Sequence, residues 1–207
     1  MTASTPAWLR DARRTADAPS SRPAPRPVQR LGQALSWDGW ITLGLLAVVL
    51  LSTVWSVEQA EWVPVRPSLS LIAFLGLAAA AGFERLRWHS ALALPMGLAL
   101  GILVVMWQTA VVLPAPGWNQ QFDELVLRLE KWWTLARTGG ISIDPLPFAV
   151  FLALLTWAAS FVSTWFVLRR LDMWWGVLPA GFALLTNLSY LPENYHGYFL
   201  TYLFAAM

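Results

Sequence analysis

Beyond residue 37, long uninterrupted apolar segments alternate with short polar breaks. The segments at about 39–57, 90–113 and 146–168 reach the length of about 20 mostly apolar residues that a membrane-spanning helix needs. None of them shows the strict alternation of a membrane β-strand, and lipid offers no hydrogen-bond partner to an open backbone. The pattern therefore predicts three spanning helices at these positions.

Three further apolar segments are shorter. The segment at about 68–83 is rich in alanine and glycine, and it spans only if Pro67 opens the helix or the bilayer thins locally. The segment at 173–190 is long enough by a narrow margin, and the one at 195–207 is still apolar where the chain stops. Together the six segments predict an all-α fold, a polytopic integral membrane helix bundle of about five to six transmembrane helices.

A different periodicity marks residues 119–138, inside the one long polar connection at 114–145. Its apolar side chains recur every three or four residues, and its charged side chains lie mostly off that stripe. The stripe contains Phe122, Leu125, Val126, Leu129, Trp132 and Trp133. We predict an amphipathic extracytoplasmic helix that lies in the membrane interface with its apolar face down. The alternative is a helix whose polar face docks an outside partner or domain.

The first 36 residues differ from the rest of the chain. They hold five of the fourteen prolines and six of the fourteen basic residues, with few large apolar side chains. Such a composition cannot bury enough surface to offset the entropy of ordering. Residues 1–36 are therefore predicted to form a disordered, arginine- and proline-rich cytoplasmic tail.

The basic residues are distributed unevenly between the two sides of the predicted bundle. With the N-terminus inside, the tail and two short connections place ten of the fourteen basic residues in the cytoplasm, and four lie outside. The connections contribute Arg85, Arg87, Arg169 and Arg170, which we interpret as topology determinants. The bias predicts a multi-pass protein of the cell membrane, with a cytoplasmic N-terminus and residues 58–67, 114–145 and 191–196 outside.

Composition narrows the function classes. Hydrophobic residues make up 57% of the 207 positions, charged residues only 13%, and cysteine is absent. One soluble core could not bury this much apolar surface, so the composition argues against a soluble cytoplasmic enzyme. Without cysteine the chain can form no disulfide framework, thiolate metal site or cysteine nucleophile.

Residues for catalysis or transport are scarce. No Asp, Glu, Lys, Arg or His lies deep in an apolar segment. Gln108 and Asn187 are the strongest polar groups there, and we interpret them as interhelical contacts rather than substrate ligands. His89 and His196 fall on opposite faces of the predicted bundle. We therefore predict no enzymatic activity, catalytic residue, cofactor or metal site for these residues alone; the expected partner is the lipid bilayer, not nucleic acid.

One stretch carries a family resemblance. Gly-Gly-Ile-Ser-Ile-Asp-Pro-Leu-Pro-Phe at 139–148 precedes an apolar segment that contains Trp157 and Trp165 and is followed by Arg169-Arg170. Leu-Leu-Thr-Asn-Leu-Ser-Tyr-Leu-Pro follows at 184–192. This pattern resembles the N-terminal membrane region of bacterial transglutaminase-like membrane proteins of the TgpA type.

The resemblance implies a role for the whole region. In that family, a cluster of spans precedes an extracytoplasmic domain with a Cys/His/Asp triad, which would lie beyond this chain. We therefore expect a chain truncated before the catalytic domain, serving as the non-catalytic membrane anchor of a transglutaminase-like protein of the bacterial cell envelope and partnered by its own missing domain. The alternatives are a small transporter or channel subunit, or a complete structural protein of the envelope.

Overall fold

The computed structural model describes residues 37–60, 67–86, 89–170, 173–190 and 196–207. Within these ranges the chain forms seven helices and no strand, which confirms the predicted all-α class. The helices are α1 (Trp37–Gln59), α2 (Leu69–Arg85), α3 (Ser90–Val112), α4 (Trp118–Thr138), α5 (Leu146–Arg170), α6 (Trp174–Leu188) and α7 (His196–Ala206). The predicted disordered tail at 1–36 lies outside the described residues.

Among the described helices, three are long and apolar enough to cross a membrane. The qualifying parts of α1, α3 and α5 are Trp40–Gln59, Ser90–Val112 and Leu146–Arg169. Helices α2, α6 and α7 contain 17, 15 and 11 residues. A full crossing takes roughly 17–25 residues, so α2 is at the lower limit of that range and α6 and α7 are shorter than it. The structure supports a membrane protein, and the number of five to six crossings stays a prediction.

Helix ends are fixed by local hydrogen bonds. The Ser68 hydroxyl accepts a bond from the Leu71 N–H at the start of α2. The Glu58 carboxylate, at the end of α1, accepts bonds from the N–H and the hydroxyl of Ser70 at 2.9 and 2.7 Å. These acceptors satisfy N–H groups that the first turn of a helix leaves open. At the end of α4, Gly139 has a φ of 74°, the left-handed geometry that favours glycine.

Helix α5 is the centre of the bundle and contacts α1, α2, α3, α4 and α6. Its side chains at every fourth position, Trp157, Phe161 and Trp165, form a buried aromatic ladder. The rings are nearly parallel, with centroid separations of 6.5 and 6.3 Å. Phe83 of α2 meets Phe161 edge-on at 5.9 Å. Aromatic side chains thus fill the space that α5 shares with α2 and α3.

Two glycines of α3 make room for this ladder. A Cβ added at Gly97 would lie 2.0 Å from Cζ of Phe161, and one added at Gly101 would lie 2.2 Å from Cδ1 of Trp157. The Trp157 indole N–H also donates to the Gly97 carbonyl at 3.0 Å. Small residues four positions apart are what closely packed membrane helices use at their contacts. The α3–α5 contact therefore depends on these two glycines.

A second core joins α1 to α6 and α7. It contains Leu46 and Val49 of α1, Leu184 of α6 and Tyr202 of α7. The Tyr202 hydroxyl donates to the Val177 carbonyl at 2.8 Å, which gives the phenol a partner inside an apolar contact. The two cores together hold the helices as one packed body.

Polar contacts show how the helix ends are arranged. Glu84 and Arg169 pair near the last residues of α2 and α5, so these two helices end on the same side of the bundle. We call this side, with Glu84, Arg85 and Arg169, the arginine end. Asn187 and Ser56 pair near the last residues of α6 and α1. Because Glu58 caps the start of α2, this second side, the far end, lies opposite the arginine end.

Candidate functional site

Helix α4 packs across the far end of the bundle. It contacts α3 and α5, and Leu125 is buried in the same cluster as Leu113 and Leu146. The Gln121 side-chain amide donates to the Leu113 carbonyl at 3.2 Å. Short connections link α4 to the last turn of α3 and to the first turn of α5. One side of α4 is therefore packed against α3 and α5.

The predicted apolar stripe of α4 divides into two parts. Leu125 is 0% exposed, and Leu129 is half-buried against the cluster that contains Leu125, Leu113 and Leu146. Phe122, Val126, Trp132 and Trp133 remain exposed, Trp133 by 52%. The division arises because the stripe is wider than the contact that α3 and α5 offer. One flank of α4 is therefore used by the protein, and the other presents large apolar side chains outward.

Two arginines of α4 have defined partners. Arg128 bonds to Glu124 one turn earlier and lies 3.9 Å from Asp144 beyond the helix. Partly exposed pairs of this kind contribute little to stability. The Arg137 guanidinium lies 4.9 Å from the Trp133 ring centroid. A cation stacked on an aromatic ring is a combination that suits the boundary between water and lipid headgroups.

The arginine end holds two of the four predicted topology determinants. Arg169 approaches the buried Glu84 carboxylate at 3.4 Å and lies 5.2 Å from the Trp165 ring centroid. Arg85 lies 5.1 Å from the ring centroid of Trp40, near the start of α1. Position 87, with the predicted determinant Arg87, and the side chain of Arg170 lie outside the part of the chain that the structure describes.

The two polar side chains that the sequence marks within apolar segments, Gln108 and Asn187, have separate positions. Asn187 is buried, and its amide donates to the Ser56 hydroxyl at 2.7 Å, which links α6 to α1. Gln108 is half-buried on α3. The histidines are also apart, since His89 precedes α3 at the arginine end and His196 begins α7. Among the described residues, no three His, Asp or Glu side chains are grouped as metal ligands would be.

Several structural contacts were missed in the sequence analysis. Neither the bond from Ser70 to Glu58 nor the pair between Glu84 and Arg169 was predicted, because both depend on which helix ends lie together. The aromatic ladder had a visible signal in its four-residue repeat. The pairing of that ladder with Gly97 and Gly101 had one too, since the two glycines are themselves four residues apart.

Comparison of the chain with protein-family models, with curated proteins and with solved structures finds no match. What the arrangement can do is therefore argued from its own geometry: an apolar bundle, a cationic end, and a far end covered by an amphipathic helix.

Proposed function

We propose that residues 37–207 are a multi-pass membrane domain that acts as a non-catalytic anchor in the cell membrane. One observation carries the proposal: among the residues that the structure describes, charged side chains lie only near the two ends of the bundle and in or beside α4. No Asp, Glu, Lys or Arg occurs in the sequence between the ends of α1, α3 or α5. The uncharged zone between the two ends of these helices matches the hydrocarbon layer of a bilayer, where an ionised side chain is costly.

The outer surface of α3 supports the same proposal. Large apolar side chains are exposed along the length of this helix, among them Met96, Leu98, Ile102, Leu103 and Trp107. Water would disfavour this surface, whereas lipid tails solvate it. The α5 side of the same helix is filled by the aromatic ladder, which supports anchoring rather than a solute path along that contact.

The arginine end supports one orientation of the proposed anchor in the membrane. Arg85 and Arg169 occupy the same side of the bundle because α2 and α5 run parallel. Short basic connections favour the cytoplasmic side of a membrane. We therefore place the arginine end and the N-terminus in the cytoplasm, and the far end with α4 outside.

The far end would then be the side that meets an extracytoplasmic domain. Helix α4 and the exposed residues Ile141 and Ile143 lie there. The resemblance of residues 139–200 to transglutaminase-like membrane proteins supports an anchor for a domain of that type. On this proposal these residues hold the domain at the membrane and contribute no catalytic group.

Single-cysteine labelling tests the orientation. Because the native chain has no cysteine, His89→Cys and Ile143→Cys each introduce one exposed thiol, at opposite ends. With a membrane-impermeant maleimide on intact cells, we expect labelling at position 143 and protection at position 89. Both should label after permeabilisation, and the native chain is the background control. Labelling at position 89 with protection at position 143 would reverse the proposed orientation. Labelling at both positions in intact cells would show that the two ends are not separated by a membrane.

A further inference from the structure

A lateral crevice of about 170 Å³ opens between α1, α5 and α6. Its walls include Leu50 and Val54 of α1, Leu152 and Ser163 of α5, and Ala180 and Ala183 of α6. The small side chains on α5 and α6 keep these helices from filling the space. The proposed anchoring function gives this crevice no role.

The crevice presents hydrocarbon rather than open polar groups along most of its wall. The Thr53 hydroxyl lies 3.2 Å from the Val49 carbonyl and 3.3 Å from the Ala180 carbonyl. The Thr156 hydroxyl donates to the Leu152 carbonyl at 2.8 Å. A stable buried water needs two to four polar partners. Two of the four hydroxyls in the wall are thus bonded to backbone, with Ser160 and Ser163 the other two, and apolar atoms make up most of the wall, so the crevice suits an apolar occupant.

The mouth of the crevice is continuous with the outer apolar surface. Leu155 lines the crevice and is also 54% exposed. On α6, the exposed residues Leu178 and Phe182 flank the lining residues Pro179 and Ala183. The α1 and α5 walls belong to two of the helices that are apolar enough to cross a membrane. In a bilayer, lipid tails would therefore face this opening directly.

The size of the crevice limits what can occupy it. A volume of about 170 Å³ has room for about six groups of the size of a water molecule. A helix of a second copy, about 10 Å across, is too wide to enter. A stretch of a single flexible hydrocarbon chain fits the volume and the chemistry of the wall.

We propose that this crevice binds one acyl chain of a membrane phospholipid. The proposal rests on the membrane location argued above. The lipid headgroup remains outside the crevice, and the chain enters sideways between α5 and α6. Bound in this way, the acyl chain fills the space that α1, α5 and α6 leave between them and makes van der Waals contacts with all three helices.

Photo-crosslinking tests the proposal. The full chain is reconstituted in phosphatidylcholine vesicles that contain a small fraction of phosphatidylcholine with a mid-chain diazirine, and adducts are located by peptide mass spectrometry. We expect adducts on the wall residues of α5 and α6 at a higher yield than on the exposed face of α3. Ala159→Leu with Ala183→Leu, both exposed lining positions, should remove that excess. Ala99→Leu, at an exposed α3 position outside the crevice, should leave it unchanged.

The outcomes separate this proposal from the anchoring function. Adducts on α3 without an excess at the crevice, or an excess that survives the double leucine variant, would overturn the acyl-chain site and leave the membrane location intact. A disulfide between two copies that carry Ala183→Cys would overturn it in favour of a protein contact. If no adducts form on any helix, the membrane location itself fails.

Discussion

Phe161→Ala should lower the free energy of unfolding by about 3–5 kcal/mol, the loss typical of a buried aromatic side chain removed from a core. Phe161 is 0% exposed, stacks between Trp157 and Trp165, and meets Phe83 edge-on. Its removal would leave a cavity at the junction of α2, α3 and α5. Unfolding of the reconstituted or detergent-solubilised chain by increasing fractions of a denaturing detergent, followed by circular dichroism, measures the effect.

Phe182→Ala is the matched control for that loss. Phe182 has the same side chain on α6 but is 75% exposed. Truncation of an outward side chain away from packing contacts usually changes stability by no more than about 0.5 kcal/mol. Equal losses from the two variants would show that the aromatic ladder is not the packed centre of the bundle.

Gly97→Ala should destabilise the protein by about 1–3 kcal/mol, as expected for overpacking of a filled core. The new Cβ would meet the Phe161 ring at 2.0 Å, and the ladder above and below that ring limits its movement. Stability should fall even though alanine favours a helix over glycine by about 0.5–1 kcal/mol. The same detergent-unfolding measurement applies.

Two controls isolate the steric cause. Gly44→Ala on α1 has no atom within 4 Å of the new Cβ, so it should leave stability unchanged or raise it slightly. In a Phe161→Ala background, Gly97→Ala should cost far less, because the ring that it meets is gone. A loss at Gly97 that persists in that background would refute a clash with the ladder.

The helical segments were predictable because lipid restricts which secondary structures an apolar segment can form. In lipid, a run of about 20 apolar residues with no neighbouring strand to pair with can satisfy its backbone hydrogen bonds only as a helix. Helices α1, α3 and α5 lie where such runs occur. The tryptophans were less predictable from position alone: Trp40, Trp55 and Trp174 are exposed near helix ends, whereas Trp157 and Trp165 are buried by their neighbours.

The candidate site was predictable only in part. Periodicity located the apolar stripe of α4, but periodicity cannot tell protein contact from lipid contact. The burial of Leu125 and the exposure of Val126 are set by where α3 ends and α5 begins beneath the helix. In the same way, the sequence marks Asn187 as a polar group in an apolar run, and only the packing of α6 on α1 assigns Ser56 as its partner.

The membrane location of α3 is the claim on which the proposed function and the acyl-chain site both depend. A nitroxide attached at Leu103→Cys, on a side chain that is 68% exposed near the middle of α3, reports depth in reconstituted vesicles. We expect relaxation by dissolved oxygen to be strong and relaxation by a water-soluble nickel complex to be weak. A nitroxide at His89→Cys, just before the start of α3, should show the reverse. Strong relaxation of the Leu103→Cys label by the nickel complex would place α3 in water and contradict the account.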